Sequence, residues 1–251
     1  MKALNTVFLM VVAVALLAIS SVPVYASKTD SRIESSAKSS YVFVTYLKGD
    51  DIKIQSKDGA VTLTGVVSEE SHKSLAQETV ASLPGVKSVD NRLEIKGTPP
   101  TSPSDAWLTT KVKTTLLFHQ SVSGTTEVSV KDGIVTLRGT ADNQTQKEMT
   151  TEYARDVEGV KDVLNEMVVA TPPKKSRTAG DKIDDASITA LVKTTLLYHR
   201  STSALNTKVE TKSGVVTLTG KAGNAAELKL ATKVASDVHG VKSVKNLMSI
   251  K

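Results

Sequence analysis

The sequence predicts an α+β protein made of three tandem two-layer modules. Three observations support this fold class: a hairpin motif that occurs three times, a glycine motif that follows each hairpin at the same interval, and proline-containing segments between the copies. The hairpin motif reads KDGAVTLTG at 57–65, KDGIVTLRG at 131–139 and KSGVVTLTG at 212–220. The second motif begins at Gly85, Gly159 and Gly240. The separating segments are TPPTSPS at 98–104 and TPPKKSRTAG at 171–180.

An amphipathic helix opens each copy. In the second copy its apolar stripe has helical spacing and consists of Leu108, Val112, Thr115, Leu116 and His119. An acidic residue begins each helix, where we expect it to cap free N–H groups; these residues are Asp30, Asp105 and Asp185. In the first copy, the apolar run 41–44 is compatible with helix or with strand, and both interpretations stay open.

A hairpin, a second helix and a third strand follow. Asp132-Gly133 suits a tight turn that requires positive φ, and Val135 and Leu137 alternate with polar residues on the return strand. Gly159 is placed to end the second helix in the left-handed conformation. The predicted order is αββαβ, with two helices on one face of a three-stranded mixed sheet. We place the domains at 28–97, 104–171 and 183–251, joined by stiff linkers and folding independently.

The N-terminus has the pattern of a cleavable signal peptide over residues 1–26. Lys2 precedes an apolar segment, Val7–Ile19, and Val24-Tyr25-Ala26 is a small-x-small cleavage site. An uncleaved anchor is the alternative, but the apolar segment is short for a bilayer span of about 20 residues. We therefore expect a secreted, periplasmic protein. Since the chain has no cysteine, the sequence predicts no disulfide, no thiolate metal site and no lipoprotein anchor.

The composition is that of an ordinary soluble protein with aliphatic cores. Apolar residues make up 39% of the chain, charged residues 23% and aromatic residues only 4%. The formal net charge of +6 is spread along the sequence. This charge permits attraction to anionic lipid, envelope polymer or nucleic acid and selects none of them. Because a leader directs the protein out of the cytoplasm and aromatic residues are scarce, we expect no nucleic-acid partner.

Each copy resembles a BON domain, a family named after bacterial OsmY and nodulation proteins. The matching pattern is an acidic helix start, a DG-V-x-L-x-G hairpin and a helix that ends in Gly-Val-x-x-Val-x-Asn-x-hydrophobic. Its last part is Gly85, Val86, Val89, Asn91 and Leu93 in copy one, and Gly240, Val241, Val244, Asn246 and Met248 in copy three. The resemblance covers nearly all of the chain after the leader. It implies association with phospholipid surfaces, with the first helix of a module as a plausible contact.

The sequence predicts no active site. His119 and His199 are equivalent and each lies near the end of a first helix. A ligand or pH-sensing role is one interpretation; a partly buried histidine that the helix dipole stabilises is the one we favour. Neither metal-ligand spacing nor a nucleophile-elbow sequence occurs. We therefore expect a protein that is not an enzyme, without catalytic residues, metal, cofactor or small-molecule substrate.

The candidate functional residues lie on the first helix of copy two. Trp107, Lys111 and Phe118 recur at helical spacing beside the buried stripe, and Leu117 falls nearly opposite it. An aromatic ring and a cation at a solvent border suit a membrane interface. We predict that Trp107, Lys111, Leu117 and Phe118 bind lipid; the alternative is that Trp107 and Phe118 extend the core.

Two functions fit these observations. The first is a non-enzymatic envelope protein that associates with anionic phospholipid surfaces. The second is a soluble periplasmic stress chaperone that binds partly folded envelope proteins through apolar helix sides and open sheet edges. Lipid binding through charge should weaken steeply with salt, whereas client binding through apolar surface should not.

Overall fold

The computed structural model describes residues 28–97, 104–122, 125–170, 182–202 and 206–251. These residues form three α+β units, here called modules 1, 2 and 3 in chain order. The predicted signal peptide and both predicted linkers, apart from Ser104, lie outside the described residues.

The helices and strands are numbered along the chain. Module 1 contains α1 (Lys28–Ser39), α2 (Tyr41–Thr45), β1 (Asp51–Lys57), β2 (Ala60–Val67), α3 (Glu70–Ala81) and β3 (Ser88–Ile95). Module 2 contains α4 (Asp105–Phe118), β4 (Glu127–Lys131), β5 (Ile134–Arg138), β6 (Thr140–Ala141), α5 (Gln144–Arg155), β7 (Asp162–Asn165) and β8 (Val168–Val169). Module 3 contains α6 (Asp185–Tyr198), β9 (Thr207–Lys212), β10 (Val215–Ala222), α7 (Ala225–Ser236), β11 (Ser243–Asn246) and β12 (Ser249–Ile250).

The hairpin's return strand lies at the centre of each sheet. In module 1, β2 pairs antiparallel with β1 and parallel with β3. Strand β5 pairs in the same way with β4 and β7, and β10 with β9 and β11. A two-residue turn is enough for the antiparallel pair, whereas the parallel strand requires the second helix as a crossover. The predicted α+β fold of three tandem modules with mixed sheets is confirmed.

The predicted tight turns have the expected backbone. Asp58 and Gly59 both have positive φ, 54° and 84°, as a two-residue hairpin turn of this kind requires. The turns of the other modules, Asp132-Gly133 and Ser213-Gly214, repeat this conformation.

The acidic residues Asp105 and Asp185 do not act as the predicted caps of α4 and α6. The N-cap of α4 is Ser104, whose hydroxyl accepts the N–H of Trp107 at 3.3 Å. The carboxylate of Asp105 instead accepts the N–H groups of Asp132, at 2.7 Å, and Gly133, at 2.9 Å. Asp30 and Asp185 bind the turns of modules 1 and 3 in the same way. Each acid therefore ties the first helix of its module to the hairpin turn.

The first helix of module 1 is interrupted at Ser40. Helix α1 ends at Ser39, and the Ser40 hydroxyl accepts the N–H of Phe43 at 3.5 Å to begin α2. Val42 and Phe43 are buried. The run 41–44, for which helix and strand were both open, is therefore helical.

The three modules pack against one another. One continuous cluster of buried, mostly aliphatic side chains includes residues of all three. Helix α3 of module 1 lies against α6 of module 3, and α4 of module 2 contacts α6. The sequence predicts modules that fold independently and does not indicate whether they pack together. In the structure their buried helix faces meet in one shared core.

Candidate functional site

Trp107 and Lys111 lie on α4 where the three modules meet. The Nζ atom of Lys111 lies 4.1 Å from the centroid of the Trp107 ring and 5.2 Å from that of Tyr198 in module 3. Both distances are typical of cation–π contacts. Burial lowers the pKa of Lys111, and the nearby carboxylate of Glu158 opposes this shift. Trp107 and Lys111, which the sequence places side by side, are therefore in contact. Lys111 also contacts a second aromatic ring, Tyr198, which belongs to another module.

A groove of ≈ 540 Å³ opens beside this pair. Its walls come from all three modules and include Trp107, Lys111, Leu197, Tyr198, Glu69 and Glu158. The aromatic and aliphatic side chains suit an apolar ligand group. The carboxylate of Glu158 stands near Lys111, so the cation attracts an anion less strongly inside the groove than an isolated lysine would.

Leu117 and Phe118 are adjacent in sequence, but the structure places them in opposite environments. The side chain of Leu117 is 49% exposed, whereas that of Phe118 is 1% exposed. The Phe118 ring packs edge to face on Tyr46 of module 1, with the ring centroids 5.3 Å apart. The prediction that Phe118 shares a lipid-facing surface with Trp107 is therefore corrected: module 1 covers Phe118. For Phe118, the alternative that it extends the core holds.

Of the two equivalent helices α4 and α6, α4 is the less buried, although each keeps one half-exposed leucine: Leu117 is 49% exposed and Leu197 is 50% exposed. Eleven of the fourteen residues of α6 are buried, against six of fourteen in α4. The difference arises because α3 covers α6, where Glu78 of α3 bonds Lys193 at 2.7 Å. The equivalent lysine of α4, Lys113, is exposed beside Leu117. The exposed side of α1 is polar and consists of residues such as Ser31, Arg32, Ser35 and Lys38.

Sequence reasoning missed a second cluster, formed by His119 and His199. They cap the C-terminal ends of α4 and α6 and are 0% and 1% exposed, so they are fully and not partly buried. Their Nε2 atoms face each other across the boundary of modules 2 and 3 at 3.2 Å. Asp156 and Asp237, at the ends of α5 and α7, face the two Nδ1 atoms.

A comparison among the repeats could have found this cluster. Modules 2 and 3 carry a histidine at the end of the first helix and an aspartate after the second helix. Module 1 has Val44 and Ser82 at the corresponding positions, so it lacks both members of the pair. Two residue types that occur together, or are absent together, indicate a contact between them.

The described residues contain no group of three or more His, Asp or Glu side chains arranged to hold a metal ion. None of the helices formed by the described residues is both long and apolar enough to cross a bilayer.

Comparison with known proteins gives three matches to one domain type. The BON domain family matches at residues 29–97, 104–171 and 184–251. The osmotically-inducible protein Y of Escherichia coli (strain K12) is 35% identical over 149 residues, which are 59% of this chain and 73% of that protein. The outer membrane lipoprotein DolP of Haemophilus influenzae is 34% identical over 113 residues, 45% of this chain and 56% of that protein. With three matched modules covering most of its length, the chain belongs to the BON domain family.

Proposed function

We propose that this is a non-enzymatic protein of the bacterial periplasm that associates with anionic phospholipid surfaces and supports the cell envelope under osmotic or other stress. The names of its relatives, an osmotically inducible protein and an outer membrane lipoprotein, support an envelope role. The predicted signal peptide supports export.

The observation that carries the proposal is the composition of the α4 surface, which we define as Trp107, Lys111, Lys113 and Leu117. Lys113 and Leu117 are exposed, and Trp107 and Lys111 are half-buried at the edge of the groove. The α4 surface combines an indole ring, two cations and an exposed leucine on one helix. Amphipathic helices of this composition lie at the boundary between headgroups and acyl chains. Because Ser187 and Leu191, the α6 residues equivalent to Trp107 and Lys111, are both 0% exposed, we assign lipid contact to module 2.

Binding to vesicles tests the proposal. We expect the mature protein to co-sediment with vesicles of phosphatidylglycerol and phosphatidylcholine but not with phosphatidylcholine alone. High salt should release it, because each basic side chain near an anionic surface contributes about 1 kcal/mol and this attraction is screened. The double variant Trp107→Ala/Lys111→Glu should bind at least tenfold more weakly.

The matched control is Leu164→Ala. Leu164 is also in module 2 and 50% exposed, but it lies on β7 in the sheet layer. This variant should bind vesicles as the wild type does. Equal binding by the folded double variant and the wild type would rule out the α4 surface as the lipid site.

The second candidate function is that of a soluble periplasmic stress chaperone. Exposed apolar side chains on the strands favour it, among them Leu164, Val168 and Ile250, which are 50%, 67% and 53% exposed. An extended client segment could add to a sheet edge beside them. Suppression of client aggregation that persists at high salt and in the Trp107→Ala/Lys111→Glu variant would support this function.

A further inference from the structure

Modules 2 and 3 meet through equivalent residues in a pseudo-twofold arrangement. The N–H of Gln120, after α4, donates to the carbonyl of Asp237 at 2.9 Å. The N–H of Arg200, after α6, donates to the carbonyl of Asp156 at 2.9 Å. Ser121 and Ser201 then donate their hydroxyls to the side chains of the same two aspartates. The two modules thus contact each other as the subunits of an isologous dimer do.

The histidine pair lies at the centre of this arrangement. Asp156 and Asp237 are ionised at neutral pH. Burial raises the pKa of Asp156, but the contacts of His199 and Ser201 outweigh burial and leave this pKa below its usual value. The pKa of Asp237 is lowered against burial in the same way, by His119 when its Nδ1 carries a proton, and by Ser121 and Tyr153. His199 Nδ1 lies 2.8 Å from Asp156 Oδ2, so this nitrogen carries a proton and donates it. His199 Nε2 is then an acceptor and takes the N–H of His119 Nε2 at 3.2 Å.

This assignment explains an asymmetry between the two histidines. His119 Nδ1 lies 3.2 Å from Asp237 Oδ2, yet among the described residues no atom forms a hydrogen bond with it. In the neutral pair this nitrogen carries a lone pair and has no proton to donate. Asp237 accepts the hydroxyl of Tyr153 at 2.8 Å instead. The corresponding residue of module 3 is Val234, which offers no hydroxyl to Asp156.

We call the state in which His119 and His199 are in contact the closed state, and the state in which modules 2 and 3 have separated the open state. The closed state accommodates one additional proton but not two. One proton on His119 Nδ1 would convert its contact with Asp237 into a charge-assisted hydrogen bond. A second proton would place an N–H on both Nε2 atoms, which are 3.2 Å apart. Two N–H donors and two positive charges would then face each other where a hydrogen bond had been, so the histidines would have to separate.

We propose that the His119–His199 pair is a proton-operated clasp that holds modules 2 and 3 together at neutral pH and releases them in mild acid. The remaining charged groups at this interface are few. Arg200 Nε lies 3.7 Å from Asp156 Oδ1, and the nearby His239 becomes a second cation close to His119 when protonated. Glu152, Arg155 and Lys233 line the groove beside the pair. Release does not depend on lipid binding.

The direction of the pH dependence follows from proton uptake. Burial is the main cause of the lowered pKa of His119 in the closed state. In the open state His119 contacts water, where a histidine has its ordinary pKa of about 6.5. Below that pH the open state therefore binds more protons than the closed state does, so acid favours opening. Above that pH the two states bind equal numbers of protons, and the closed state has its greatest stability relative to the open state. Below about pH 6.5, the ratio of open to closed molecules should rise up to tenfold per pH unit for each proton excluded from the closed state.

Distance measurement in the full chain tests the clasp. Because the protein has no cysteine, Lys131→Cys and Lys212→Cys would place spin labels at equivalent exposed strand ends of modules 2 and 3. We expect one distance at pH 7.5 and a growing second, longer distance between pH 6.5 and 5. The variant His119→Gln/His199→Gln should lose this pH dependence. His72→Asn, at the module 1 histidine, should keep it.

A spectroscopic measurement on the wild-type protein tests the proposal even if the variant His119→Gln/His199→Gln fails to fold. Nitrogen NMR of the wild type at pH 7.5 should show the proton on Nε2 of His119 and on Nδ1 of His199, with both rings neutral. Their titration should coincide with the change in distance. Unchanged distances at pH 5 would overturn the proposal, and so would opening that persists in the folded double glutamine variant.

Discussion

Three glycines illustrate how single residues are constrained by close backbone approach. Gly65, Gly139 and Gly220 have φ near +125°, at 123°, 124° and 127°. A Cβ on Gly65 would lie 1.9 Å from the carbonyl oxygen of Asp51 on the neighbouring strand. A side chain is therefore excluded both by the backbone conformation and by the adjacent carbonyl.

At this scale we predict that Gly65→Ala lowers the free energy of unfolding of module 1 by about 2 kcal/mol or more, since strained conformations cost about 1–3 kcal/mol before the clash is counted. Urea denaturation followed by circular dichroism measures this loss. Gly49→Ala is the control, because nothing lies within 4 Å of a Cβ there and its φ is not positive. Equal losses in the two variants would show that the close approach to Asp51 is unimportant.

Among the helices, α6 shows how one element can serve two modules. Asp184 caps α6 by accepting the N–H of Ser187 at 2.9 Å. The same carboxylate accepts the N–H of Tyr41 at 2.8 Å, and the Ser187 hydroxyl accepts that of Val42 at 3.0 Å. Two orphan donors at the start of α2 in module 1 are therefore satisfied by the N-terminus of α6 in module 3.

We therefore predict that Asp184→Ala is more damaging than loss of an ordinary cap. Removing a cap costs about 1 kcal/mol, and leaving the Tyr41 N–H without its acceptor adds about 1 kcal/mol or more. Ser104→Ala is the matched control, because Ser104 caps α4 through one hydrogen bond to its own helix. Chemical denaturation of both variants should show about twice the loss for Asp184→Ala. An equal loss would mean that the contact with module 1 contributes nothing.

On the scale of the whole molecule, module 1 and module 3 pack closely against each other. Helix α6 buries its outer face against α3, and the core is continuous through the modules. A separated module would expose that face to water and lose the stabilisation that its burial provides. The structure therefore predicts coupled stability where the repeat pattern and the proline linkers had suggested independent units.

Hydrogen exchange tests the coupling. Leu63 is 0% exposed in β2, and Leu63→Ala should cost about 2–5 kcal/mol as a core truncation. We expect faster amide exchange in α6 as well as in module 1. Lys53→Ala, at an exposed position of β1, should leave α6 unchanged. Wild-type protection of α6 in the Leu63→Ala variant would show that module 3 folds independently.

The sequence by itself determined the modules. Repeated turn dipeptides, alternating strands and helix-ending glycines are local signals, because they depend on backbone conformation and on the periodicity of one segment. The αββαβ order and the pairing of Trp107 with Lys111, one turn apart on α4, could be predicted for this reason. The capping role of Asp105 was wrong because its partners, the N–H groups of Asp132 and Gly133, are distant in sequence.

Only the tertiary structure decided which faces stay exposed. Phe118 and Leu117 are neighbours on one helix, and the docking of module 1 buries the first and leaves the second in water. The same docking buries Ser187 and Leu191 of α6, whereas their equivalents on α4, Trp107 and Lys111, stay half-buried beside the groove. His119 and His199, far apart in sequence, meet because modules 2 and 3 pack with pseudo-twofold symmetry. Contacts between modules depend on surface complementarity in three dimensions, which the periodicity within a single segment does not encode.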